Sequence, residues 1–165
     1  MSSMNFRHAV RAIILDERDR VLLCRFVVPD PPGTMTVWVA PGGGVDPGET
    51  RQQALRRELM EEVGLALETD PPLVWNQKTA GPEYTPGYDG TINDYYLVRA
   101  SAFDPRGTFT DEQLAAENIA GWRWWPLGDI VEHDGADLFS PRDLATPLAA
   151  LIADGVPARP VSLGL

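Results

Sequence analysis

The stretch GGGVDPGETRQQALRRELMEEVGL, running from Gly42 to Leu65, decides how this chain is read. Thr50 to Val63 carries the strongest helix pattern in the sequence. Thr50 with Gln53 forms a capping box, and Gly64 is a natural C-terminal stop. At about 100° per residue, Glu58, Glu61 and Glu62 share one face by i, i+3 and i, i+4 spacing. Ala54 falls on that acidic face too, where a small side chain leaves room. Leu55, Leu59 and Val63 fall on another face, suited to packing on a sheet.

Three carboxylates so close repel one another by roughly 0.2–0.5 kcal/mol per exposed pair. A divalent cation turns that cost into a binding site. Oxygen-only donors suit Mg²⁺ or Mn²⁺, and Mg²⁺ pairs one or two carboxylates with substrate phosphates. A solvated acidic helix face is the plainer reading of three glutamates alone. Gly42, Gly43 and Gly44 weigh against it, because glycines let the backbone approach a ligand closely. The loop they open runs back toward the start of the same helix, so its amides and carbonyls can face the carboxylates.

Around this stretch the chain reads as strands with few helices. Val10 to Leu15 and Val21 to Val28 are apolar and β-branched, with a polar turn between them. Pro29 to Gly33 is a loop by composition, and Thr36 to Ala40 a short strand. Leu73 to Thr79 and Asp94 to Phe103 are further strands. Between them Gly81 to Asn93, with its prolines, glycines, Tyr84 and Tyr88, reads as a long loop of the kind that carries function. Trp122 to Trp125 is a short aromatic strand with Trp122 and Trp124 on one side. Thr146-Pro147 looks like the N-cap and first position of a last helix that ends before Gly155, and Val156 to Leu165 an extended tail. The pattern predicts a layered α/β domain over residues 1–165.

Composition narrows the functional classes. The chain has 165 residues and a net charge of −10, which disfavours non-specific binding to nucleic acid or an anionic membrane surface. Any anionic ligand needs a bound cation or a local basic cluster. One cysteine, Cys24, rules out an intrachain disulfide and reads as a small buried apolar residue. No apolar run is long enough to span a membrane and Met1 to Val10 lacks a signal core, so a cytoplasmic protein is the default expectation. His8 and His133 have no partners near them in sequence and read as surface residues. The glycines fit neither a dinucleotide fingerprint nor a P-loop, and there is no G-x-S-x-G.

Residues 43–65 resemble the Nudix box. Its pattern is G, five residues, E, seven residues, then R-E-U-x-E-E-x-G-U, where U is bulky and apolar. Gly43, Glu49, Arg57-Glu58-Leu59, Glu61-Glu62 and Gly64-Leu65 match it without departure. The resemblance implies an α/β/α sandwich with a mixed β-sheet and a loop–helix–loop catalytic motif. It also implies Mg²⁺- or Mn²⁺-dependent hydrolysis of a nucleoside diphosphate linked to another group. By the same resemblance Glu58, Glu61, Glu62 and the Gly42 carbonyl hold metal, and Arg57 pairs with Glu49. Glu58 acts as general base in some relatives, whereas in others an acid in a later loop does. Glu117 is the candidate for that role, with Glu112 behind it.

For substrate contact the candidates are Gly43, Gly44, Tyr84 and Tyr88. A nucleoside triphosphate, oxidised forms included, is the first expectation, with ADP-ribose, a nucleotide sugar or a dinucleoside polyphosphate as alternatives. A ligand-binding regulator on the same fold is the rival from another class, but such proteins typically lose box carboxylates. Many relatives are dimers, so a homodimer is open to this chain.

Overall fold

The computed structural model describes residues 5–80 and 87–165. Ten-residue strand β1 (Phe6–Leu15) is its axis. Along one edge it pairs in parallel with β6 (Gly90–Arg99), over the whole register from Phe6↔Gly90 to Leu15↔Arg99. Along the other edge it meets β2 (Val21–Asp30) at Leu15↔Val21, and β4 (Gly42–Gly44) at Ala9 to Arg11. Next to β2 lie β3 (Gly33–Val39), antiparallel, and β7 (Ile119–Trp125), also antiparallel. The two-residue β8 (Leu138–Phe139) runs parallel to β3. Beyond β6 come β5 (Leu73–Ala80), antiparallel, and β9 (Val161–Leu163), parallel to β5. The result is one mixed sheet.

Strand alternation loads both faces of that sheet. Ile13 and Leu15 of β1, Leu23 of β2 and Tyr95 and Leu97 of β6 face one core. Val10, Ala12, Ile14, Leu22, Tyr96 and Val98 face the other. On the second face packs α1 (Arg51–Glu62), through Ala54, Leu55 and Leu59, with Val63 just past its end. On the first face pack α3 (Leu127–Glu132), through Ile130, and α4 (Ala145–Asp154), through Leu148 and Leu151. A short α2 (Asp111–Ala116) lies outside both cores. This is the sandwich that the motif implied. Trp38, Trp75 and Trp125 are buried in the first core, while Trp122 and Trp124 flank the second from one side of β7.

Several sequence expectations shift. Strand pairing carries β1 back to Phe6 and β2 on to Asp30, so Pro31-Pro32 alone forms the turn between β2 and β3. Strand β6 starts at Gly90, because β1 and β5 both pair with Thr91 to Asn93. The long connection therefore ends at Asp89, and β6 itself ends at Arg99. Helix α4 begins at Ala145, and Thr146 lies inside it with its backbone N–H bonded to Asp143. The tail does extend, and its end becomes β9. Ala54 is fully buried under the sheet; its smallness admits close helix–sheet contact and opens no room at the acidic face. His133 is half-buried, edge-on to Trp125 and Phe139, whereas His8 is exposed and touches Arg51.

The turn between β1 and β2 is fixed by Asp16, only 2% exposed. Its carboxylate accepts from the backbone N–H of Arg18 and Arg20 and from the Arg20 guanidinium. Burial alone would raise this carboxyl, but those three donors outweigh it and hold it below the ordinary carboxylate value. No helix among the described residues is long and apolar enough to cross a membrane.

Two stability predictions follow from the packing. Leu59→Ala in the centre of α1 lowers the unfolding free energy by about 2–5 kcal/mol in urea titrations, whereas Met60→Ala, on the exposed side, changes it by roughly 0.5 kcal/mol or less. The depressed Asp16 carboxyl contributes stability that is complete above about pH 4 and lost as pH falls through its lower folded value. Asp16→Asn therefore flattens the acid limb of a stability–pH curve.

Candidate active site

The site is built where the β4 loop meets α1. Thr50 caps the helix: its hydroxyl accepts from Gln53 N at 3.1 Å, and its own N–H donates to the Gln53 side chain at 2.8 Å. At the other end Gly64 takes φ +75°, and a Cβ there would collide with the Arg106 carbonyl. Glycine is thus required twice, by the backbone angle and by the segment crossing above it. That segment donates from Arg106, Thr108 and Phe109 to the carbonyls of Val63, Met60 and Glu61, which closes the helix end and leads the chain into α2.

Arg57 is the hub. Its Nε and Nη2 meet both oxygens of Glu49 at 2.8 and 3.0 Å. Nη2 also donates to the Gly44 carbonyl at 3.0 Å. Nη1 donates to Glu58 at 2.9 Å and to Glu61 at 3.4 Å. The Arg57 guanidinium holds the Glu49 carboxyl down to about 2. So the expected Glu49–Arg57 pair is present, and one planar cation ties the loop to two box carboxylates.

Glu62 stands apart from that hub. It is 7% exposed and accepts from the Gly42 N–H at 3.0 Å. Burial, and next the charge of Glu58, push its carboxyl up to about 8, against the Gly42 bond and Arg11. Glu117, the C-cap of α2, adds to the same repulsion. Burial raises Glu58 as well, opposed by Arg57. A Cβ at Gly43 would lie 2.5 Å from the Glu58 carboxylate and would displace it from Arg57. Among the described residues no three His, Cys, Asp or Glu side chains stand gathered as a ready metal cage. The three glutamates expected to hold metal thus have separate partners. Arg57 draws the first two toward the loop, while Gly42 holds the third.

A cation nonetheless fits here. Glu62 is a buried carboxylate whose neighbours Glu58 and Glu117 are also acidic, and every donor is oxygen, the set a hard divalent ion takes. Glu62, Gly42 and Gly43 line a cavity of about 270 Å³ together with Cys24, Glu117, Arg7 and Arg11. Glu112 is exposed and is not part of this lining. Cys24 is buried there, its thiol pushed up to about 12 chiefly by burial, so it stays protonated.

Sequence reasoning missed Arg7 and Arg11. Both line this cavity and also a larger one of about 760 Å³ on the α4 side of the sheet. Arg11 donates to the Ala40 carbonyl at 2.8 Å, and the Arg7 side chain has no hydrogen bond or ion pair among the described residues. Arg7 instead lies against Gly44, where a Cβ would meet Nη2 at 2.8 Å. The available signal was their spacing of four on β1, which puts both on one face. Tyr88 is exposed and lines a separate groove with Arg7, His8, Gly44 and Arg51. Tyr84 lies outside the described residues. A third, apolar cavity between α4 and the tail, lined by Trp75, Leu151, Val156 and Leu163, contains none of the box residues.

The chain belongs to the NUDIX domain family, whose model matches residues 5–145, and it is a Nudix hydrolase. It is 30% identical over 139 residues to an RNA pyrophosphohydrolase of Pseudomonas fluorescens strain SBW25, covering 76% of this chain and 82% of that one. In fold it is similar to a NUDIX hydrolase from Nitrosomonas europaea (TM-score 0.64, 19% identity, 93% of each chain). It is also similar to a C. elegans Ap4A hydrolase (TM-score 0.60, 22% identity, 89% of this chain and 98% of that one). Enzymes of this family generally need a divalent metal.

Arg57→Lys keeps the charge but loses the two-pronged grip on Glu49. The expected result is a fall in thermal stability of a few degrees, together with a loss of turnover of about 10-fold or more, read by calorimetry and by phosphate release.

Proposed function

We propose that this chain is a pyrophosphohydrolase of a nucleoside triphosphate, oxidised forms included, with Mg²⁺ as the preferred ion. The observation that carries the reading is the buried Glu62, flanked by Glu58 and Glu117, at the point where a cleft lined by Arg7 and Arg11 reaches the box. Glu58, Glu61, Glu62 and the Gly42 carbonyl would hold the ion. When bound, it neutralises charge on the anhydride and makes water a better nucleophile.

The remaining work belongs to the chain's own residues. Arg57, braced by Glu49, keeps the Gly43-Gly44 loop against α1, so that Gly43 and Gly44 border the phosphates. Arg7 and Arg11 offset the protein's −10 charge where the phosphates lie. Glu117 has no side-chain hydrogen bond or ion pair among the described residues, which leaves an oxygen free to accept a proton from the attacking water. Glu58, engaged by Arg57, is less available for that step. Tyr88, which lines a groove with Arg7 and Gly44, would contact the leaving part of the substrate, and Tyr84 is the other candidate for that contact.

The kinship to an RNA pyrophosphohydrolase supports a second reading, in which the triphosphate sits at the 5′ end of an RNA. The net charge disfavours it, because a long polyanion pays repulsion at every phosphate beyond the cleft. A cytoplasmic location and a single domain over residues 1–165 complete the proposal.

The deciding experiment is a screen of nucleoside polyphosphates and a 5′-triphosphorylated oligonucleotide with Mg²⁺ or Mn²⁺, with product analysis. Free triphosphates are expected to react, yielding monophosphate and pyrophosphate. Glu58→Gln and Glu62→Gln each lower kcat by at least about 100-fold with an unchanged circular dichroism spectrum, and Glu117→Gln lowers it by about 10²–10⁴-fold. Near-normal turnover in Glu58→Gln and Glu62→Gln, or full activity in excess chelator, overturns the assignment.

A further inference from the structure

The larger cavity on the α4 side holds an ordered chain of side chains that the box does not account for. Its floor comes from β1, β6 and β5, and the register sets Asn93 directly opposite Gln77 and beside Ala9. The small Ala9 side chain lets Arg11, one step along the same face of β1, lean across to Asn93. Arg11 Nε donates to Asn93 Oδ1 at 3.4 Å, Asn93 Nδ2 donates to Gln77 Oε1 at 3.4 Å, and Gln77 Nε2 donates to the Gly164 carbonyl at 2.7 Å. Gly164 is held in place by β9, which pairs with β5 at Trp75 to Gln77, and by Leu163, which packs into the core.

Both ends of this chain have fixed polarity. A guanidinium can only donate, and a backbone carbonyl can only accept. The two amides between them can therefore satisfy every link in one orientation only: each turns its oxygen toward Arg11 and its nitrogen toward the tail. A free asparagine can offer an adenine edge one donor and one acceptor side by side. Asn93 cannot swing to do so without breaking two links. Gln77 is 4% exposed and buried behind it, whereas Asn93 is half-buried and lines the cavity. What Asn93 turns to a ligand is its second amide hydrogen. The cavity adds further donors from Arg7, Arg11 and Arg142, has no Asp or Glu side chain among the described residues of its lining, and has apolar walls in Met35, Val37 and Phe139.

We infer that this cavity receives the base of the substrate, that Asn93 selects a base edge presenting acceptors, as guanine does with O6 and N7, over the amino-bearing edge of adenine, and that Gln77 and the Gly164 carbonyl of the tail are positioning groups that lock Asn93 in that orientation. The inference rests on the nucleotide-hydrolase reading for its substrate class. Because Arg7 and Arg11 line both cavities, a base in the larger one leaves its phosphates against the two arginines and pointing at Glu62.

The test is equilibrium binding of GDP and ADP to the full chain without added metal, alongside kcat/KM for GTP and ATP with Mg²⁺. The wild-type chain is expected to favour guanine by at least about 10-fold in both measurements. In Asn93→Asp, which can only accept, that ratio falls to unity or reverses. In Gln77→Met, which keeps the shape but releases the lock, the ratio shrinks at least about 3-fold, with the loss in KM more than in kcat, a split that mere loosening of the sheet would not give. Thermal melts of both variants establish that they are folded. Equal binding of the two nucleotides, binding of neither, or an unchanged ratio in both variants overturns the inference. Turnover of both triphosphates without base preference overturns it while the hydrolase reading stands. Guanine-selective binding with no turnover under any divalent ion supports the cavity assignment and defeats the hydrolase reading.

Discussion

The contact on which the site depends is the grip of the Arg57 guanidinium. Both oxygens of Glu49, the Gly44 carbonyl, Glu58 and Glu61 all meet it within 3.4 Å. Five hydrogen bonds to one rigid planar group fix the loop that contains Gly43 and Gly44 against the helix that carries the glutamates. Without it, α1 would bring three like charges together with nothing between them, and a loop with three consecutive glycines would have many other places to go. Arginine suits this task where lysine does not, because its donors lie in a fixed plane and its charge does not titrate. The extent to which Glu49 is depressed, to about 2, reflects that grip.

The helix in turn depends on the sheet. Alternation along β1, β2 and β6 buries side chains on both faces, so α1 and α4 are both anchored to the same strands. This has a functional consequence. Even positions of β1 support α1 from beneath, while odd positions, Arg7 and Arg11, open onto the α4 side, where the larger cavity lies. β4, which pairs with β1 at Arg11↔Gly42, joins the two sides. Glu62, bonded to Gly42 N–H, reaches that junction from the helix. The acidic and the basic halves of the site are thereby held by adjacent strands of one sheet, and each moderates the field of the other: Arg11 opposes the burial that raises Glu62.

Much of this was legible in the residues themselves. The capping box at Thr50 and Gln53, the stop at Gly64, the sheet-facing Leu55, Leu59 and Val63, and the Glu49–Arg57 pair are local or nearly local, and each formed as the pattern implied. Where the expectations slipped, pairing with distant strands was the cause. Thr91 and Asn93 look like loop residues until β1 and β5 pair with them. Ala54 lies on the helical side of the glutamates by angle, yet the close approach of the sheet buries it. His133 has no sequence neighbours to interest it, but the end of β7 and β8 bring Trp125 and Phe139 to its ring. The three glutamates share a face as their spacing requires, but what each carboxylate touches is set by Arg57 and by Gly42, twenty residues before Glu62.

The sequence alone determined the family, the loop–helix–loop and which acids lie on its face, because a helix with clear caps fixes the relative directions of residues three and four apart. Tertiary structure decided the rest. It gave Glu62 to the Gly42 N–H and Glu58 and Glu61 to Arg57, brought Glu117 near Glu62 from the end of α2, placed Arg7 and Arg11 between two cavities, and joined Arg11, Asn93 and Gln77 on three strands to Gly164 just past β9. Those contacts link residues up to 87 positions apart. No local periodicity encodes them, because they arise only when strand register and burial choose which side chains share one face of one sheet.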